Sequence, residues 1–342
     1  MNLAASLHRS PARRTRLAAA CVLFAASLAS AAMPAGAQAL SLVRQIELPK
    51  VTGRIDHMDI DLVGNRLFIA ALASNTVEIV DLNSGRDVES VSRMREPQGL
   101  VHLASSRRFV VANGEGGDVQ LFSDAGPHGA PTATAHDLED ADNMRFEPQE
   151  NRLYVGYAHA LAILDPDTLR LLKSVPLSGH PEAFEIEHDG VRVFVNVPGA
   201  GHIAVVDRRE GKVVQTWNVG GAFSNFPMAL DEADHRLFIA TRLPARLMAF
   251  DTTSGKRVAD MPLCGDADDL FYDAAHKRIY AVCGEGAVDV VRQMSADRYE
   301  LVEHVATAPG ARTGLFVPSL SMLLIAAPAR GGVAEIRVYK IK

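Results

Sequence analysis

The residues with the most chemistry to offer recur at one phase of the chain. Asp56-His57, Gln98-Gly99, Asp142-Asn143, Glu182-Ala183, Phe226-Pro227, Asp268-Asp269 and Thr313-Gly314 each stand two and one places before an apolar residue. Those apolar anchors are Met58, Leu100, Met144, Phe184, Met228, Leu270 and Leu315. Arg54, His180, Asn225 and Arg312 lie within two further positions. If a fold gathers these segments, they make a ring dense in carboxylate and amide oxygens. Like charges so crowded raise one another's pKa unless a cation or a hydrogen-bond donor intervenes. One expectation is a bound cation, Ca²⁺ on this donor set, held by Asp56, Asp142, Asn143, Glu182 and Asp268. The other is a solvated acidic rim neutralised by Arg54, Arg312 and water. The candidate ligand-binding set is Arg54, Asp56, His57, Gln98, Asp142, Asn143, His180, Glu182, Asn225, Asp268, Asp269 and Arg312. Within it, His57 and His180 are best suited to acid–base work near neutral pH, although a loop histidine is more often a surface hydrogen-bonding group.

Other chemistries find little support. There is no G-x-S-x-G, no H-E-x-x-H, no His-x-x-x-His and no Cys-x-x-Cys-His. The glycine-rich runs Asn113–Gly117 and Cys283–Gly286 have no helix pattern behind them, so they are not phosphate cradles. Gly126–Gly129 and Pro198–His202 read as turns. Met58, Met144 and Met228 sit at anchor positions and read as core gap-fillers, with copper considered only if they line an open channel. Cys264 and Cys283 fall at strand ends on one face. A disulfide is expected there in an oxidising compartment, the alternative being two buried thiols.

The elements that must position the ring are short and repeat. Successive anchors are 42, 44, 40, 44, 42 and 45 residues apart. After each comes a β-branched or aromatic run, six of the seven opening with Arg: Arg66–Ala70, Arg108–Ala112, Arg152–Gly156, Arg192–Asn196, Arg236–Ala240, Arg278–Val282 and Met322–Ala326. A further apolar strand follows, several ending in Asp (Asp81, Asp165, Asp207, Asp251) before a turn such as Asn83-Ser-Gly85. Asp there hydrogen-bonds the backbone ahead of it and Gly supplies a positive φ. Four short strands in about 43 residues are a propeller blade. The fold expectation is all-β, a seven-bladed β-propeller with blades near 54–94, 96–137, 140–179, 180–221, 223–265, 266–310 and 311–342. The last unit has three strands, so residues 40–51 are expected to supply its outermost strand and close the ring.

The first 39 residues are set apart. Arg9, Arg13, Arg14 and Arg16 precede an apolar, alanine-rich run ending in Ala37-Gln38-Ala39, the pattern of a cleaved export signal. The general secretory route is expected over twin-arginine export, since Thr15-Arg16-Leu17 fits the latter motif poorly, and Cys21 lies too early for a lipoprotein site. Removing these residues from 342 leaves 303, which carry 31 Lys and Arg against 41 acids, a net charge of −10. Such acidity argues against nucleic acid or anionic membrane as partner. No apolar stretch of spanning length follows Leu40. The expected setting is the periplasm, as a monomer.

Val193-Phe-Val-Asn-Val197, then Ile203-Ala-Val-Val-Asp207 leading to Gly211-Lys212, resembles the YVTN-type repeat. With its sister segments it makes the whole chain after residue 39 similar to the periplasmic YncE-like seven-bladed propellers. The resemblance implies a fold more than an activity, because members are mostly non-catalytic or uncharacterised. Trp217 precedes Asn218, so there is no Trp-Asp dipeptide, and the repeated Trp motif of quinone-cofactor propellers is missing. The expected function is a binding or scaffold protein for a small ligand or a periplasmic protein partner. A metal-dependent hydrolase or lyase of the lactonase type is the alternative, with His57 or His180 as acid or base. An accessory subunit of a periplasmic redox complex is the third.

Overall fold

The structure, a computed structural model, describes residues 38–124 and 129–342. The export-signal reading up to residue 37, Cys21 and most of the Gly126–Gly129 turn lie outside the described residues.

Among the described residues, seven four-stranded antiparallel sheets form a ring of blades. Blades 1 to 6 span residues 58–91, 97–135, 144–176, 184–218, 223–262 and 267–306, each in simple up-and-down order. Blade 7 holds Thr313–Val317, Met322–Ala327 and Ala334–Ile341, with Leu40–Leu48 as its outer strand. That strand runs antiparallel to Ala334–Ile341, with Leu40 opposite Ile341 and Leu48 opposite Ala334. Glu303 of blade 6 accepts from the backbone N–H of Ala39 (2.7 Å) and Leu40 (3.3 Å). At the seam of blades 7 and 1, Thr313 Oγ1 donates to Ile55 O at 3.2 Å.

The second strand of each blade is a nearly unbroken apolar run because both its faces are covered. Leu67 and Ile69 of blade 1 pack with Leu324 and Ile336 of blade 7, and Val110 and Leu121 of blade 2 with Leu153 and Val155 of blade 3. Each such side chain contributes about 1.5–3 kcal/mol on burial. The outermost strands alternate in exposure and carry charge, as at Arg86–Val91, which blunts an open edge.

The turns are built by side chains. Asp61 Oδ1 accepts from the N–H of Val63 (3.0 Å) and Gly64 (2.9 Å), and its Oδ2 meets Arg66 at 2.7 Å, directly opposite in register. The recurrent Arg therefore pins the turn between first and second strands, and Glu187–Arg192 repeats the device. At the turn between third and fourth strands, Asp165 Oδ1 accepts from Asp167 N, Thr168 N and Thr168 Oγ1 at 2.9–3.0 Å. Asp251 does the same with Ser254, and Gly255 takes φ 70°.

Cys264, beyond the last strand of blade 5, is bonded to Cys283 at the end of the second strand of blade 6, with Cα atoms 5.9 Å apart. Among the described residues, no helix is long and apolar enough to cross a membrane.

Candidate functional site at the channel mouth

The ring residues lie where the chain leaves one blade and enters the inner strand of the next. That approach is already sheet-like. Asp56 N donates to Ala70 O at 2.8 Å, and Ala70 N to His57 O at 3.0 Å. The same pair of bonds recurs at Asp142, Gly156 and Asn143 (both 2.9 Å), and at Glu182, Asn196 and Ala183 (both 3.0 Å). Equivalent backbone positions thus present Asp56, Asp142 and Glu182 toward one small cavity. Arg54, His57, Asn143, Ala183, Phe226 and Asp268 complete its lining.

Asp56 is 1% exposed. Arg54 Nη2 is 2.8 Å from Asp56 Oδ2, a charge contact off the N–H axis, so that oxygen accepts no aligned hydrogen bond. His57 Nε2 lies 3.7 Å from Asp56 Oδ1 and 4.0 Å from Asp142 Oδ1. One donor atom each from Asp56, His57 and Asp142 falls within 4.8 Å of the others. Burial, then the charges of Asp56 and Glu182, push the Asp142 carboxyl well above its ordinary range. Glu182 is pushed up to about 8 by burial and then by Asp268, with Arg242 opposing.

Asp268 is differently placed. Arg242 Nη2 donates to its Oδ1, and Arg312 Nε is 3.3 Å from its Oδ2. The same two arginines meet Asp266 at 3.0 and 3.1 Å. These four residues form a lattice of matched charge, so Asp268 is not the free cation ligand its sequence position suggested. Burial still raises its pKa, against the pull of Arg242.

Several candidates do not line the cavity. Gln98 lies against Gly114, where a Cβ would come within 2.2 Å of its Nε2. Asn225 is fully buried. Its Nδ2 donates to Asn196 Oδ1 (2.8 Å) and His202 O (3.2 Å), while Asn196 Nδ2 donates to Phe226 O (3.1 Å) and Pro227 O (3.0 Å). This amide pair positions Phe226 rather than a ligand. His180 Nε2 donates to Asp140 O at 3.1 Å and is 3.2 Å from Asp140 Oδ2, which holds the ring at the rim, 3.8 Å from Glu182.

Asp269 faces a further cavity of about 410 Å³ lower in the channel, which shares His57 and Ala183 with the mouth and is lined also by Asp59, Glu185 and Arg145. It accepts from Gly314 N of blade 7 at 2.7 Å, as Asp59 does from His102 N of blade 2 at 2.7 Å. Burial raises both carboxyls, Asp269 to about 6. They act as clamps between neighbouring inner strands. Met58, Met144 and Met228 line this cavity, but each is buried in a different inter-blade core.

Arg242, Asp266 and the lower-channel residues Asp59, Glu185 and Arg145 fall outside the set that the repeat phase picks out. Arg242 reaches the site because its strand, Arg236–Leu243, is longer than its counterparts, which end at Ala71, Asn113, Tyr157, Val197, Cys283 and Ala327. Its guanidinium carbon stacks 4.0 Å over the Phe226 ring. The available signal was the run Thr241-Arg-Leu243, which continues where sister strands turn. A second acid–histidine group, Asp61, His102 and Asp124, is filled by Arg66, whose Nη2 is 2.7 Å from Asp61 and 3.0 Å from Asp124.

The sequence matches no protein-family model and no curated protein. The fold is similar to a solved chain of hydrazine synthase from Kuenenia stuttgartiensis, with TM-score 0.70 over 85% of this chain and 96% of that one. At 17% identity the likeness is one of fold.

Proposed function

We propose that this protein is an exported binding propeller whose channel mouth takes a cationic ligand. The observation that carries the reading is an imbalance of charge. Asp266 and Asp268 are matched by Arg242 and Arg312. Among the described residues, Asp142 and Glu182 have only histidines as ion-pair partners, His57 at 4.0 Å and His180 at 3.8 Å. Burial without a matched cation is what raises these carboxyls, and a positively charged ligand relieves it. The export pattern and the YVTN-type repeats support a periplasmic, YncE-like setting.

The lactonase-type reading would use His57, among the carboxylates, or His180, held by Asp140, for proton transfer, whereas the charge imbalance itself speaks to binding. An accessory role in a redox complex is the second reading, supported by the likeness to the hydrazine synthase chain.

Thermal melts of the chelator-stripped protein test the main reading. Divalent metal ions or small organic cations such as spermidine should raise the melting temperature, while matched anions should not. A ligand at a hundred times its Kd stabilises by about 2.7 kcal/mol. Melts indifferent to every cation would remove the proposal.

A further inference from the structure

We infer that the cationic ligand is a borderline first-row divalent ion of the Zn²⁺ class, held by Asp56, His57 and Asp142 with Asn143 beside them. This rests on the cation-binding reading above and narrows it. Two donors on one ion, each about 2.1 Å from it, sit about 3–4.2 Å apart. The His57 Nε2 separations of 3.7 and 4.0 Å from the two carboxylates fall in that range.

An independent observation points the same way. Asn143 lines the same cavity, is 4% exposed, and its Oδ1 accepts no hydrogen bond. A buried amide oxygen without a donor is costly, and a cation satisfies it. Asp56 Oδ2 is likewise without an aligned donor. Arg54, with its side chain 42% exposed, yields its place beside Asp56 as the ion arrives.

The donor types select the ion. Ca²⁺ and Mg²⁺ prefer all-oxygen sets, whereas imidazole with carboxylate suits the borderline ions. The five-oxygen Ca²⁺ set read from sequence included Asp268, which Arg242 and Arg312 already hold. It omitted His57, which the structure places between Asp56 and Asp142.

The test loads the chelator-stripped protein with Mn²⁺, Zn²⁺ or Ca²⁺ singly. Bound metal is counted by elemental analysis after desalting, and affinity is measured by competition with a chromophoric chelator. The expected result is one Zn²⁺ per chain, with Mn²⁺ weaker and Ca²⁺ weaker by more than about tenfold. His57→Ala and Asp142→Asn should each weaken binding by more than about tenfold while keeping the parent circular dichroism spectrum. His276→Ala, at a histidine paired with Asp273 away from the mouth, should change nothing. The inference is overturned if no metal is retained, if Ca²⁺ binds as tightly as Zn²⁺, or if His57→Ala binds like the parent. Should it fall while spermidine still stabilises the protein, the mouth is an organic-cation site and the wider reading survives. If no cation stabilises it, both fall together.

Discussion

Glu182 is an ordinary glutamate in sequence, but in the fold its carboxyl is pushed up to about 8, first by burial and then by Asp268 and Asp56, with Arg242 and Arg54 opposing. A carboxyl whose folded pKa is raised binds its proton more tightly in the native state. Its contribution to stability is therefore fully present below the unfolded value of 4.5 and is lost as pH climbs to about 8. With metal removed, the melting temperature should fall more steeply between about pH 5 and 8 in the native protein than in Glu182→Gln. Parallel pH profiles from the two proteins would count against this account. Asp142, Glu182 and Asp268 share one phase of the repeat, yet only the position of Arg242 and Arg312 distinguishes the matched Asp268 from the other two, whose ion-pair partners are histidines.

At the scale of elements, strands and turns follow from short-range pattern. The sequence pattern marks Asp81, Asp165, Asp207 and Asp251 as turn-builders. Asp165 and Asp251 have lowered pKa values, chiefly through hydrogen bonds from Thr168 and Ser254. Such contacts span two or three residues, which is why they were legible. The longer strand Arg236–Leu243 was not, because its extra length depends on Ala245–Asp251 continuing opposite it. The bond between Cys264 and Cys283 joins two elements of neighbouring blades across a 19-residue separation. Replacing both cysteines with serine should cost about 2–4 kcal/mol by denaturant unfolding under oxidising conditions, and nothing further should be lost when reductant is added to the variant. An unchanged midpoint in the double variant would show that the bond constrains little.

Across the whole molecule, both ends of the described chain meet in one sheet. Leu40, Ile46 and Leu48 are buried against blade 7 and its neighbours. Deleting residues 40–48 removes roughly 5 kcal/mol or more of apolar burial. It should lower the melting temperature by about 10 °C or more. A deletion variant that melts like the parent would mean that blade 7 stands on three strands. The blade count itself was legible, because anchors recurring every 40–45 residues report a local unit that cannot bury its faces alone and so must stack. The sequence by itself determined the strands, their turns and the seven-fold division, which depend, apart from the strand Leu40–Leu48, on contacts within about 43 residues. Tertiary structure alone decided which polar residues face the mouth, which clamp neighbouring blades and which pair with arginine. The physical reason is distance. Asp56 and Asp142 are 86 residues apart in sequence but share one histidine in space. Charge, desolvation and ligand geometry act over a few ångströms, whatever the separation along the chain.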